Sequence, residues 1–290
     1  MIEPVLRTYI ASDGYRIHFR QWNAATPKGI IIALHGIQSH SGWYEFSSRR
    51  LAEAGYTVCF ADRRGSGLNG ADRGHAAHGL RLINDVRALT HLIQHEHRLA
   101  GHTELPVTLL GLSWGAKIAA ATIATFPDEY QGLVLLYPGL EPRIRPNWWQ
   151  RFRLNLARRF EVTKHHIPIP LSDPALFTSD REWQQFIAND PLALHTVTSS
   201  LLNSGRDLDE IVQAHPDQIT CPILLILAGQ DAIIDNRKVL TLVTSFGSSF
   251  LLIRNYPAAR HTLEFEPIRE QFVVDQITWL RIVNDIRTSQ

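Results

Sequence analysis

The chain has 290 residues, 44% of them hydrophobic, and its 29 basic and 28 acidic residues leave a formal net charge of +1. That length buries a large core, either as one α/β domain or as a core with a small insertion, and the balanced charge predicts no nucleic-acid partner. Cys59 and Cys221 both fall in or beside predicted strands, so buried free thiols are expected rather than a disulfide framework. Met1-Ile2-Glu3-Pro4 lacks the basic region and apolar run of a signal peptide, and no stretch reaches the ~18 apolar residues of a membrane span. A cytoplasmic protein is expected, and there is no internal repeat or low-complexity tract.

Residues 6–10 and 15–22 flank Ser12-Asp13-Gly14 and predict an opening hairpin. Ile30-Ile31-Ile32-Ala33-Leu34 has the continuous apolar character of a strand buried on both faces, and it ends at His35-Gly36-Ile37. Residues 44–54 predict a helix closed by Gly55. Residues 57–61 predict another buried strand, leading into Asp62-Arg63-Arg64-Gly65-Ser66-Gly67. This Gly-x-Gly lacks the third glycine and the later acidic residue of a nucleotide fingerprint, so a structural turn is expected, with Asp62 satisfying backbone or arginine donors. Residues 80–99 predict a long helix. His91 and His95 share one face of it, but Leu99 stands where the zinc-protease spacing needs a second histidine after His95-Glu96, so no metal site is expected.

Val107-Thr108-Leu109-Leu110-Gly111-Leu112-Ser113-Trp114-Gly115 reads as strand, sharp turn and helix start, the context a nucleophile elbow requires. Ser113 stands at the tip of that turn, beside the positive end of the following helix. If the strand ending at Leu34 is its neighbour, the backbone N–H groups of Ile37 and Trp114 form an oxyanion hole. Leu133-Val134-Leu135-Leu136 predicts the next buried strand.

From Pro138 to Gly205 the strand–helix alternation stops. Arg143, Arg145, Arg151, Arg153, Arg158, Arg159 and Lys164 interleave with an apolar stripe of Trp148, Trp149, Phe152, Leu156 and Phe160. The expected domains are therefore a core, 1–137 and 206–290, and an inserted cap, 138–205, over the active site. The stripe either lines an acyl pocket or forms the cap's own small core. The basic face either is solvated or gives peripheral contact with a membrane surface. Candidate substrate contacts are His35, Gly36 and Trp43 on the core, and Trp148, Trp149 and Phe152 on the cap.

Alternation resumes with Ile223-Leu224-Leu225-Ile226-Leu227, followed by Gly229-Gln230-Asp231 and Asp235; a further strand over 249–254 precedes His261, and a helix closes the chain from about Pro267. Ser113, Asp231 and His261 each follow a strand end, where ligands bind in parallel sheets, and they come in the order Ser, Asp, His. His261 is the base that takes the serine proton, and a buried carboxylate fixes its tautomer. Asp235 is the rival acid.

Together His35-Gly36 with His40-Ser41-Gly42-Trp43-Tyr44-Glu45, Asp62-x-Arg64-Gly65-x-Gly67, Gly111-x-Ser113-x-Gly115, Gly229-x-Asp231 and His261 resemble the α/β-hydrolase superfamily, in its monoacylglycerol lipase and lysophospholipase-like (serine aminopeptidase S33-type) branch. The resemblance implies an α/β fold with an eight-stranded, mostly parallel core and a helical cap after strand six. It implies Asp231 as the acid and Ile37 and Trp114 as the oxyanion hole. Gln38 and Ser39 depart from the small and acidic residues usual after the His-Gly pair, and Trp43 stands where an arginine is usual. The expected activity is cofactor-independent hydrolysis of a small-molecule acyl ester, such as a monoacylglycerol or lysophospholipid-like lipid. Thioester, amide or carbon–carbon cleavage, and a hydrolase-fold ligand-binding protein, are the alternatives.

Overall fold

In the computed structural model, which describes residues 2–102, 104–143 and 163–288, the apolar runs of the sequence become the inner strands of one eight-stranded sheet. Strands β1 (Val5–Ile10) and β2 (Arg16–Trp22) form the antiparallel hairpin at one edge. β2 then pairs antiparallel with β4 (Tyr56–Ala61), which runs parallel to β3 (Gly29–Leu34). The parallel order continues through β5 (Val107–Leu112), β6 (Gly132–Leu136), β9 (Ile223–Ala228) and β10 (Leu251–Tyr256). β7 (His166–Pro168) and β8 (Thr196–Thr198) make a separate antiparallel pair. Every residue of β3, β4, β5, β6 and β9 is buried, as strands covered on both faces must be.

Among the described residues the α-helices are α1 (Glu45–Glu53), α2 (Gly79–Leu99), α3 (Gly115–Thr125), α4 (Arg181–Asn189), α5 (Ser199–Ala214), α6 (Asn236–Val243) and α7 (Arg269–Thr288). α2, α3 and α5 pack together, and α1 packs against α7. None of the described helices is long and apolar enough to cross a membrane.

The connection from β3 leads to β4 on one side, whereas the connection from β4 crosses to β5 on the other. The crevice at the carboxyl ends of β3 and β5 is therefore the switch point of the sheet. With Leu34 in register with Gly111, the loop after β3 leaves the sheet beside the turn after β5.

Residues on both sides of the segment 144–198 contact the core. Residues 138–143 stay with the core: Pro142 bridges Ile234, and the Arg143 N–H donates to the Ile233 carbonyl at 2.8 Å. α5, whose span Ser199–Ala214 runs across residue 205, packs on α2 and α3.

Helix α3 is buried from Gly115 to Ala124, with alanine at half of those positions, so it lies close to the sheet. A β-carbon at Gly115 would collide with the carbonyl oxygen of Leu34, and one at Gly111 with the backbone of Ala116. Neither glycine has positive φ, so contact distance rather than backbone conformation requires them. Gly115→Ala is expected to lower stability by about 2 kcal/mol or more, because the helix must lift from β3; urea unfolding measures it, and a loss below about 0.5 kcal/mol contradicts the close approach.

Candidate active site

Ser113 occupies the turn between β5 and α3 with φ +48°, the left-handed region that non-glycine residues rarely adopt. Hydrogen bonds on both sides hold it there. Its N–H donates to the Leu136 carbonyl at 3.0 Å, and its own carbonyl accepts from the N–H groups of Ala116 at 3.0 Å and Gly139 at 2.7 Å. A β-carbon on Gly139 would lie 3.0 Å from the Trp114 nitrogen, so glycine keeps that backbone group clear.

His261 follows β10 with its Nε2 2.9 Å from Ser113 Oγ, and its Nδ1 lies 2.8 Å from Asp231 Oδ2. The other oxygen of Asp231 accepts from the N–H groups of Ile233 at 2.8 Å and Ile234 at 2.9 Å, which fixes the carboxylate plane. A carboxylate facing Nδ1 puts the proton there and leaves Nε2 to accept from the serine hydroxyl. Asp235, the rival acid, instead caps α6 by accepting from the Lys238 N–H. The imidazole is 2% exposed, with the Tyr137 ring at 5.0 Å and the Phe177 ring at 6.0 Å between centroids, both edge-on.

Gly36 sits beside the serine: a β-carbon on it would stand 3.7 Å from Ser113 Oγ. Among the described residues the N–H groups of Ile37 and Trp114 donate to no other group. A narrow cleft opens at this point. Its walls are Gly36, Ile37, Gln38, Ser39 and Tyr44 on one side, Ser113, Tyr137, His261 and Thr262 at the base, and Leu171 and Phe177 from the insertion. Residues 177–178 are tied to the turn that carries the histidine: Thr262 N–H donates to the Phe177 carbonyl at 2.8 Å, and Thr178 Oγ1 to the Phe265 carbonyl at 3.0 Å.

Two candidate contacts lie behind the cleft instead of in it. His35 is 2% exposed, its Nε2 accepting from the Arg63 N–H at 2.9 Å and its Nδ1 facing the Gly36 carbonyl at 2.7 Å. Burial holds it neutral, with its pKa down at about 3. Trp43 donates from Nε1 to Asp190 at 2.6 Å and packs against Phe177, Phe186 and Phe265, so it braces the insertion. Trp148, Trp149 and Phe152 lie outside the described residues, as do Arg145, Arg151, Arg153, Arg158 and Arg159. Of the basic stretch, Arg143 is spent on the Ile234 carbonyl and Lys164 on Asp72.

Asp62 is fully buried and accepts from the N–H groups of Ser41 and Leu68, each at 2.8 Å, as a structural turn requires. Cys59 and Cys221 are free and buried, which pushes both thiols up, that of Cys221 to about 12. Among the described residues no group of three or more His, Cys, Asp or Glu side chains is placed to hold a metal.

Sequence reasoning missed Tyr137, Gly139, Leu171 and Phe177. Tyr137 had a signal, because it follows the end of β6 as Ser113 follows β5; its φ of +36° and its buried hydroxyl without a partner had none. Gln38, seen only as a departure from a pattern, also has a buried side-chain oxygen without a partner.

A family profile described as serine aminopeptidase, S33 matches residues 25–268. The monoacylglycerol lipase of Mycolicibacterium smegmatis is 26% identical over 282 residues, covering 94% of this chain and 95% of that one. Human monoglyceride lipase is 26% identical over 263 residues, covering 89% of this chain and 83% of its own. The crystal structure of Paleococcus ferrophilus monoacylglycerol lipase superposes with a TM-score of 0.81 at 22% identity, covering 92% of this chain and 99% of that one.

The geometry carries two testable consequences. A fluorophosphonate should label Ser113, and Asp231→Asn should slow labelling by about 10⁴-fold by leaving His261 in the wrong tautomer; equal rates in the two proteins would contradict the hydrogen-bond chain. Glu264, on the turn after His261, is buried with one oxygen accepting from the Ser47 N–H at 3.0 Å and the other unpaired, and burial raises its pKa from 4.5 to about 7. The folded state therefore holds this proton more tightly, so its stabilisation is complete below pH 4.5 and is lost as pH rises through about 7. Glu264→Gln should gain stability over the wild type between pH 5 and pH 8, by up to about 3 kcal/mol in urea unfolding. An unchanged difference would mean that Glu264 titrates normally.

Proposed function

The chain belongs to the serine aminopeptidase S33 family, and from that premise we propose that it is a cofactor-independent serine hydrolase acting on carboxylic esters of the monoacylglycerol or lysophospholipid-like class. The observation that carries this reading is the hydrogen-bonded chain from Asp231 through His261 to Ser113 Oγ, set at the base of a cleft.

His261 Nε2 takes the hydroxyl proton as Ser113 Oγ attacks the ester carbonyl, and the imidazolium is stabilised by Asp231. The tetrahedral oxyanion is received by the N–H groups of Ile37 and Trp114, each contributing about 3 kcal/mol to the transition state. His261 returns the proton to the leaving alcohol, and water, activated by the same imidazole, releases the acid from the acyl-enzyme.

The cleft supports the choice of ester. Leu171 and Phe177 offer an apolar wall for an acyl chain. Residues 163–198 act as the described part of a cap, held over the strand ends by Asp190 on His40 and Trp43.

The test is hydrolysis of p-nitrophenyl esters from acetate to palmitate, of 1-monoacylglycerols, of lysophosphatidylcholine and of aminoacyl p-nitroanilides, by wild type and Ser113→Ala. Turnover of the monoacylglycerols is expected, with a loss of about 10⁴-fold or more in the mutant. No wild-type turnover on any ester would sink the reading; preference for the anilides would redirect it to amide bonds.

A further inference from the structure

Arg63 is buried, and among the described residues it forms no ion pair with a carboxylate. Both oxygens of neighbouring Asp62 are engaged by the N–H groups of Ser41 and Leu68. A buried guanidinium without a paired acid is costly, and such groups are kept where a site needs the charge. This one donates to two successive carbonyls, Gly36 at 3.1 Å and Ile37 at 3.0 Å, and its carbon lies 4.8 Å from the centroid of the Trp114 ring. It thus touches both residues that the proposed function uses as oxyanion donors.

We propose that Arg63 is a positioning residue that aims and polarises the Ile37 N–H for the oxyanion; the inference rests on the reading of Ile37 and Trp114 given above. The Gly36 carbonyl and the Ile37 N–H belong to one peptide unit. No described peptide bond is cis, so the two groups point in opposite directions, and holding the carbonyl toward Arg63 turns the N–H away from it. The fork grips the carbonyls on both sides of Ile37 and fixes that rotation. It also draws electron density toward the Gly36 oxygen and strengthens the N–H as a donor. His35 adds a second bond of the same sense: because its Nε2 accepts from the Arg63 N–H, its proton is on Nδ1 and is donated to the Gly36 carbonyl at 2.7 Å. Burial brings the Arg63 pKa down to about 9, which leaves the side chain charged at neutral pH.

A purely structural clamp would lower stability and leave the transition state untouched. The experiment therefore measures kcat and KM for p-nitrophenyl butyrate, inhibition by butylboronic acid, whose adduct on Ser113 is a tetrahedral anion, and unfolding, in wild type and Arg63→Met. The folded variant should lose about 10- to 100-fold in kcat, less than the loss of a donor itself. KM should change by less than about threefold, and boronate affinity should fall in step with kcat. If Arg63→Met does not fold, Arg63→Lys, which keeps the charge but not the fork, decides on the same readouts: a loss of about fivefold or more in both kcat and boronate affinity supports the inference. A folded variant with kcat and boronate affinity within about threefold of an active wild type overturns this inference alone. A wild type inert toward every ester overturns the hydrolase reading and this inference with it.

Discussion

The approach of α3 to β3 at Gly115 is the contact on which the site depends. With no β-carbon there, the first turn of the helix rests against the Leu34 carbonyl, and the serine just before it is forced into a left-handed turn. That strain, of order 1–2 kcal/mol for a non-glycine residue, is met by three backbone hydrogen bonds reaching Ser113 from β6, α3 and Gly139. One steric constraint therefore sets the direction of the nucleophile, the position of Trp114 and the closeness of the loop after β3.

The loops at the carboxyl ends of the strands are ordered by buried polar groups rather than by apolar packing. Asp62 ties Ser41 to Leu68, His35 and Arg63 tie the Gly36 peptide to the turn after β4, and Asp231 ties its own loop to His261. Each of these side chains is nearly inaccessible to water, so each must be paired or carry an energetic cost. The groups left unpaired are instructive for that reason. Tyr137 and Gln38 each carry a buried unpaired atom on a residue that lines the cleft, whereas the unpaired oxygen of Glu264 belongs to a carboxyl that burial keeps protonated at lower pH.

The segment 177–190 is bonded to the loops at both flanks of the cleft. Asp190 bonds His40 and Trp43 on the loop after β3, and residues 177–179 bond the turn carrying His261. A movement of this segment would therefore act on both sides of the cleft. The departures from the family pattern at Ser39 and Trp43 make sense here: Ser39 pairs with the Tyr44 hydroxyl at 2.9 Å, and Trp43 anchors the insertion through its indole N–H.

Ser113 and Asp231 were legible as candidates because each follows a continuous apolar run, and buried parallel strands are the most readable elements of an α/β chain, whereas His261 follows the half-exposed edge strand β10 and was legible by its place in the order Ser, Asp, His. The glycines around Ser113 were legible for the same local reason. The choice of Asp231 over Asp235 rests in the sequence on its nearness to the strand end and on resemblance, and what distinguishes them in space is that one faces His261 while the other caps a helix. Trp43 and His35 looked like substrate contacts because they sit near the serine, yet near in sequence pattern is not in the cleft: pairing with Asp190 and Arg63 turns both away from it. The sequence by itself determined the strands, the elbow and the order of the chemical groups, since these follow from local periodicity and backbone sterics. Only the tertiary structure decided which acid meets the histidine, which buried polar groups are left unpaired, and which cation lies behind the oxyanion loop, because those depend on contacts between segments far apart in the chain.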